Sequence, residues 1–600
     1  MRSIVRFISA AILLTPVATV QAQDIDLGPR SWPAADRQLF DSLTRSWVRS
    51  VPLATGNRGM IAGTSGAAAV RAGLEALKQG GTAIDAALTD AFADIVLLAQ
   101  CCVSHAGFMT LVYYEAATGK VHSMNGAWNT VIGETDPRSI PGASTPSGRG
   151  VLVPGFMAGA QAAHDRFGKL PWASLFGPAI YYAEEGFTLS PALAGMITLR
   201  KTGLGRLPAA KSVFTRPDGE WYQVGDSFRQ PEMARTLRQL ATQGAKYMYQ
   251  GEMARHIVQA VQADGGRMTM ADLANYRVIW SEPAHTTFRG YDVYAIGAPN
   301  LGGVNLVEAL NLVELADLKK LGHYTESPEA LYRLMRISRA GDVMGTSISS
   351  FRGEQTSLLR SHGVNLDRST ASRTSKAGTK QLWAAMQTPG WSEIDREAFT
   401  WQATGRSEHS DAVVAADQYG NVAALLHTAN SALWGASAIF VDGIWLPDPA
   451  SYQQEGVARA GPGARLPDPT NPMIVLRNGK PVLASSSIGT GLHEQTMLSV
   501  VNVLEYGLDP RAAVDTGAFL RPVFAALPAE AADIGSQVVV DGELNEALVA
   551  AVRKLGLPIK SVPYRLSSAW RGGWVGLTID SAGVRRGAAP RHYNGWALGH

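Results

Sequence analysis

The stretch from His409 to Asn430 constrains this chain more than any other. In it, two runs of small and β-branched residues flank Asp417-Gln418-Tyr419-Gly420. Asp and Gly supply turn chemistry there, so the stretch predicts a β-hairpin. With the turn centred near Tyr419, residue numbers facing each other across the strands sum to about 838. Ser410 then faces Thr428, and Asn430 lies just beyond. A hydroxyl at the head of one strand meets a second hydroxyl on its neighbour. The plain alternative is an ordinary hairpin whose Ser, Thr and Asn satisfy local hydrogen bonds.

At 600 residues the chain is longer than one domain core usually needs. Its net charge of +3 is too small over that length to mark a nucleic-acid footprint. Residues 1–22 read as a signal peptide. Arg2 and Arg6 precede an apolar core from Ile8 to Val17, and Val20-Gln21-Ala22 fits a cleavage site before Gln23. The alternative is an apolar N-terminal helix of the mature fold. No other run is long and apolar enough to span a bilayer, so a soluble periplasmic or secreted protein is expected. Cys101 and Cys102, the two cysteines, are adjacent. Adjacent thiols rarely bridge, so no disulfide framework is expected and the fold must rely on a large core. The pair could take a soft metal, but reads better as two small buried hydrophobes. No metal site and no cofactor are expected. There is no G-x-S-x-G, no P-loop and no H-E-x-x-H, since His493-Glu494-Gln495-Thr496-Met497 lacks the second His.

Elsewhere the pattern mixes helices and strands. Gly59–Gly63 reads as a strand, and Ser65 can cap a helix over Gly66–Gln79 that Gly80-Gly81 ends. Thr82–Ala99 is Ala-rich and apolar nearly all round, as a buried helix would be. Phe108–Tyr114 and Val121–Met124 read as paired strands, and residues 190–275 as mostly helical. A further helix is expected near Asp36–Val48. Residues 352–405 are polar and irregular, which suggests an exposed, mobile segment. The class is α/β or α+β in layers.

The chain resembles the γ-glutamyltransferase family of N-terminal-nucleophile (Ntn) hydrolases. The likeness begins in Gly59-Met60-Ile61-Ala62, Gly80-Gly81-Thr82-Ala83-Ile84-Asp85-Ala86-Ala87 and Gly107-Phe108-Met109. It continues through Val153-Pro154-Gly155, Phe288-Arg289-Gly290-Tyr291, the hairpin, Asn478-Gly479-Lys480-Pro481 and Arg585-Arg586-Gly587. Each fragment is weak alone, but their shared order is specific. The resemblance implies a four-layer αββα sandwich and a precursor that cuts itself at His409–Ser410. A large chain, 23–409, and a small chain, 410–600, would stay associated in one core. Counting back from Gly420-Asn421 places the family's nucleophile on Ser410, its partnering hydroxyl on Thr428 and a substrate-binding Asn on Asn430. Its oxyanion pair falls on Gly489-Thr490. Ser407 is the second candidate nucleophile, since Ser407-Glu408-His409 imitates the local pattern.

The departures concern the substrate, a small-molecule amide. The family's carboxylate-binding Arg should fall in Asn125–Thr130, which has none. Its Ser-Ser pair appears as Asp468-Pro469, and an anionic Asp468 would repel a carboxylate. The position of its amino-binding Asp falls near Tyr452, with Asp448 a possible substitute. Trp128, Trp434, Trp445 and Tyr452 either line an aromatic pocket or fill core space. The expectation is therefore an exported, self-processing amide hydrolase or acyltransferase with altered acyl specificity. The alternative is an inactive secreted binding relative.

Overall fold

The computed structural model describes residues 25–45, 52–345, 354–398, 410–431, 433–489, 491–520, 535–563 and 572–600. The proposed signal peptide lies outside them. The hairpin is Ser410–Ala416 against Val422–Thr428, and all its positions except Ser410 are buried. Ala412, Val414, Ala416, Val422, Ala424 and Leu426 pack on one side with Ile474, Ala484, Ile488, Val575 and Leu577. Val413, Ala415, Ala423 and Leu425 pack on the other with Ile84, Leu88 and Phe92. Strands covered on both faces carry continuous apolar runs instead of alternation, and this hairpin reads that way.

Among the described residues, fourteen strands make two seven-stranded sheets, and every pairing in them is antiparallel. In chain order the strands are β1 (Ala54–Gly56), β2 (Met60–Gly63), β3 (Phe108–Glu115), β4 (Lys120–Gly126), β5 (Ile279–Ser281), β6 (Ala284–Phe288) and β7 (Tyr291–Ala295). They continue as β8 (Ser410–Ala416), β9 (Val422–Thr428), β10 (Met473–Arg477), β11 (Lys480–Ile488), β12 (Gly573–Ile579), β13 (Arg585–Ala588) and β14 (Trp596–Gly599). One sheet runs β14-β2-β8-β9-β3-β4-β5 and the other β1-β13-β12-β11-β10-β7-β6. Helices α1 (Ala67–Lys78) and α2 (Ala83–Leu97) cover the outer face of the first sheet. Helices α3 (Gly302–Ala316), α4 (Pro328–Met344) and α5 (Leu492–Leu504) cover the second. The result is the expected helix–sheet–sheet–helix sandwich.

Helix α2 begins with a reciprocal cap. Thr82 Oγ1 accepts from Asp85 N–H, while Asp85 Oδ2 accepts from Thr82 N–H at 2.9 Å. The expected Ser65 cap on α1 is absent. Gly66 holds that position at φ +66°, and the Ser65 hydroxyl donates to Asp411 Oδ1 at 2.6 Å. The N-terminal helix is Ala34–Thr44, and residues 46–48 of the expected stretch lie outside the described residues.

The reading of residues 352–405 as irregular is corrected over residues 354–398, and the remaining residues of that segment lie outside the described ones. Helices run over Glu354–Ser361, Thr370–Thr374, Lys376–Met386 and Trp391–Ala398. Leu359, Leu382, Met386, Trp391 and Ile394 join the core outside the second sheet. A few apolar residues at helical spacing anchor a segment whose composition is otherwise polar. Arg373 adds a buried tie. Its Nη2 donates to Glu308 Oε2 at 2.7 Å and to Asn305 Oδ1 at 2.9 Å on α3. Removing one partner of such a pair strands the other charge. Arg373→Met is expected to cost about 3–5 kcal/mol, read as a lowered midpoint in urea denaturation.

Candidate active site

The hairpin closes on Asp417. Its Oδ1 accepts from Tyr419 N–H at 2.8 Å and Asn421 N–H at 2.9 Å, while Oδ2 accepts from Ala83 N–H at the head of α2 at 2.9 Å. The register that follows places Ser410 opposite Thr428, as the residue count requires. Ser410 is partly exposed, whereas Thr428 is 1% exposed. The Thr428 hydroxyl accepts from Asn430 N–H at 3.1 Å, and Asn430 turns the chain at φ +51°. Next along the sheet, Phe108 pairs with Thr428. Trp128 meets the Phe108 ring edge-on, with centroids 5.7 Å apart. Four of the residues expected at the site, Ser410, Thr428, Asn430 and Trp128, therefore share one end of the sheet. His409 lies outside the described residues.

The residue after Ser410 is held from behind. Asp411 is fully buried, and its Oδ1 accepts from the hydroxyls of Thr64 and Ser65, both at 2.6 Å. Its Oδ2 lies 3.0 Å from His427 Nε2. Thr64 N–H also donates to Ala412 O at 2.9 Å. These contacts escaped sequence reasoning, because residues some 346 positions apart meet only in the folded sheet.

Strand β11 packs face to face on β8. It ends at Ile488, and Gly489 follows at φ +79°, a conformation that favours glycine. Leu492 N–H donates to Gly489 O at 3.2 Å. Asn471 braces this turn from both sides, accepting from Ser487 N–H at 3.3 Å and donating to Leu492 O at 3.0 Å. Thr490 lies outside the described residues.

Asp468 is occupied with its own loop. Its Oδ1 accepts from Asn300 Nδ2 at 2.8 Å, from Thr470 N–H at 2.9 Å and from the Thr470 hydroxyl. The Thr470 hydroxyl also meets Thr110 Oγ1 on β3 at 2.9 Å. Among the described residues, Oδ2 is buried without a hydrogen-bond partner. Burial pushes the Asp468 carboxyl up to about 6 against the pull of these donors.

Trp434 and Trp445 belong to the core outside the first sheet. The Trp434 indole donates to Ala99 O at 2.8 Å. Tyr452 ends the 3-10 turn Pro449–Tyr452 and is partly exposed. Asp448 accepts from Ser431 Oγ at 2.7 Å, Ala436 N–H at 2.8 Å and Ser437 N–H at 2.7 Å, so it ties Ser431 to the 436–437 turn. Asn125–Asn129 does have an arginine beside it, supplied from far along the chain. Arg465 donates to Asn125 O at 2.7 Å, Asn125 Oδ1 at 2.6 Å, Asn129 Oδ1 at 2.7 Å and Arg277 O at 2.5 Å. All of these acceptors are neutral, so Arg465 pins the loop.

Two seven-stranded antiparallel sheets between helix layers, with a hydroxyl heading a central strand, define the Ntn-hydrolase fold class. A cephalosporin acylase from Bacillus halodurans shares it, at a TM-score of 0.72 and 22% identity over 92% of this chain and 97% of that one. A family profile described as Gamma-glutamyltranspeptidase matches residues 69–592, and the chain belongs to that family. A glutathione hydrolase proenzyme from Pseudomonas sp. (strain A14) is 27% identical over 475 residues, 75% of this chain and 79% of that protein. An acylase ACY 1 proenzyme from Pseudomonas sp. (strain V22) is 28% identical over 487 residues, 77% of this chain and 82% of its own.

The raised Asp468 carboxyl has a signed effect on stability. The native state holds this proton more tightly than the unfolded chain, whose Asp titrates near 3.9. The group's stabilising contribution is full below about pH 4 and is lost as pH rises through about 6. Asp468→Asn is expected to remove on the order of 3 kcal/mol of that pH dependence. Denaturation midpoints of both proteins measured between pH 4 and 7 check it.

Proposed function

We propose that this protein is an exported, self-processing amide hydrolase or acyltransferase whose nucleophile is Ser410, freed as the first residue of a new chain. The single observation that carries this reading is the pairing of Ser410 with Thr428 at the head of a central strand. A serine hydroxyl is a poor nucleophile without a base. An N-terminal serine supplies its own, an α-amine of reference pKa ~7.7–8.0.

In this reading, Ser410 Oγ attacks the amide carbonyl carbon and its proton passes to the α-amine. Backbone N–H groups at Gly489 and Thr490 would hold the oxyanion. The C–N bond breaks, the leaving amine takes the proton, and an acyl ester remains on Ser410. Water or an acceptor amine then attacks the ester, releasing acid or new amide and restoring the hydroxyl. Asn430, Trp128 and Tyr452 would meet the substrate. Export rests on the composition of residues 1–22, and no helix among the described residues is long and apolar enough to cross a membrane.

The relatives named above are proenzymes. A cut at His409–Ser410 would leave strands of both pieces side by side in both sheets, so the pieces stay together. Strand β2 from the large piece lies between β14 and β8 from the small one, and β9 pairs with β3. The substrate reading favours an acyl group other than γ-glutamyl. The resemblance aligns Asp468 with the family's carboxylate-holding pair, and Arg465 donates to neutral carbonyl oxygens. That chemistry is nearer to the acylase relatives than to the glutathione hydrolases.

Intact-mass analysis of purified protein tests the reading, which expects a small fragment beginning at Ser410 and ending at His600. Ser410→Ala should stay whole, while Ser407→Ala should split as the parent does. Thr428→Val should slow amide turnover about 10-fold through loss of one hydrogen bond. A fragment starting elsewhere sinks the proposal.

A further inference from the structure

Behind Ser410, between the first sheet and α2, lies a buried ionisable cluster that the proposed chemistry does not use. Asp90 and Asp94 sit one turn apart on α2, Asp411 on β8 and His427 on β9, and all four are 0% exposed. Asp94, Asp411 and His427 each bring one ligand atom within 4.8 Å of the other two. Asp411 Oδ2 and His427 Nε2 are 3.0 Å apart. Both atoms are close enough to bond one ion at about 2.1 Å. The Ser65 hydroxyl stands 2.6 Å from Asp411 Oδ1 and 3.4 Å from Asp94 Oδ2.

The charges in this space do not balance. Among the described residues, His427 is the only basic group paired with any of the three carboxylates. Asp94 Oδ1, both Asp90 oxygens and His427 Nδ1 are buried without hydrogen-bond partners. His105, fully buried, has neither ring nitrogen partnered among the described residues. Burying unpaired carboxylates is costly unless a cation compensates them. The backbone also makes room here. A Cβ on Gly66 would lie 2.2 Å from Asp94 Oδ1, so only a glycine fits beside that carboxylate.

We propose that Asp94, Asp411 and His427 form a binding site for one divalent transition-metal ion directly behind Ser410. Two carboxylates with one imidazole suit zinc or manganese, whereas an all-oxygen cage would suit calcium or magnesium. The ion would neutralise the buried acids and fix Asp411, and with it the direction of the chain at Ser410. Binding does not depend on Ser410 being the nucleophile, so the two readings fail separately.

The experiment uses full-length protein stripped with EDTA and then titrated with zinc chloride or manganese chloride alone. Calorimetry should show one equivalent bound saturably, and thermal unfolding should move to higher temperature as the site fills. Asp94→Asn, checked for folding by circular dichroism, should lose at least tenfold in affinity. X-ray absorption on the zinc-loaded parent, which needs no variant, should show one imidazole and otherwise oxygen donors. No saturable binding by the parent overturns the proposal and leaves the cluster as acids sharing protons. Undiminished affinity in folded Asp94→Asn, or several imidazoles in the absorption spectrum, overturns it by placing the ion at other histidines.

Discussion

The register of β8 against β9 governs everything else at this site, and it is set by the carboxylate of Asp417. That group gathers the backbone N–H of Tyr419 and Asn421, the Asn421 side chain and the first N–H of α2. It thus fixes the turn and ties it to the helix layer at once. A slip of one residue would turn every side chain of the hairpin to the opposite face. Ser410 would leave Thr428, Asp411 would swing out of its buried hydroxyls, and the two apolar faces would exchange partners.

Burial on both faces explains the small and branched apolar residues of the hairpin. Its strands are built of Ala, Val and Leu because helices press from one side and a second sheet from the other. The polar exceptions lie at one end, in Ser410, Asp411, His427 and Thr428. Polar residues appear where an apolar filling would have been simpler, and their hydrogen bonds run across strands and to Thr64 and Ser65 ahead of α1. The same end gathers Phe108, Trp128 and Asn430.

Much of this was legible in the residues because it is local. The turn chemistry of Asp417 and Gly420 gave the hairpin, its register and the Ser410–Thr428 pair. The short motifs gave the layers through their order along the chain. What escaped was non-local. Ser65 looks like a helix cap, but the folded sheet brings Asp411 within reach and that carboxylate takes its hydroxyl. Arg465 reaches Asn125 and Asn129 across more than three hundred residues. Asp468 read as a group facing substrate, yet Asn300 and Thr470 already claim one of its oxygens. The helices of 354–398 were hidden by composition, since five buried apolar residues suffice to anchor a mostly polar stretch.

The strand order has one more consequence. Segments before residue 399 and after 409 border each other three times in one sheet and twice in the other. Neither segment owns a complete sheet, so neither can be traded between relatives as a module. A graft of the downstream half from a homologue must match five foreign edges at once, and natural drift in one half is answerable to the other.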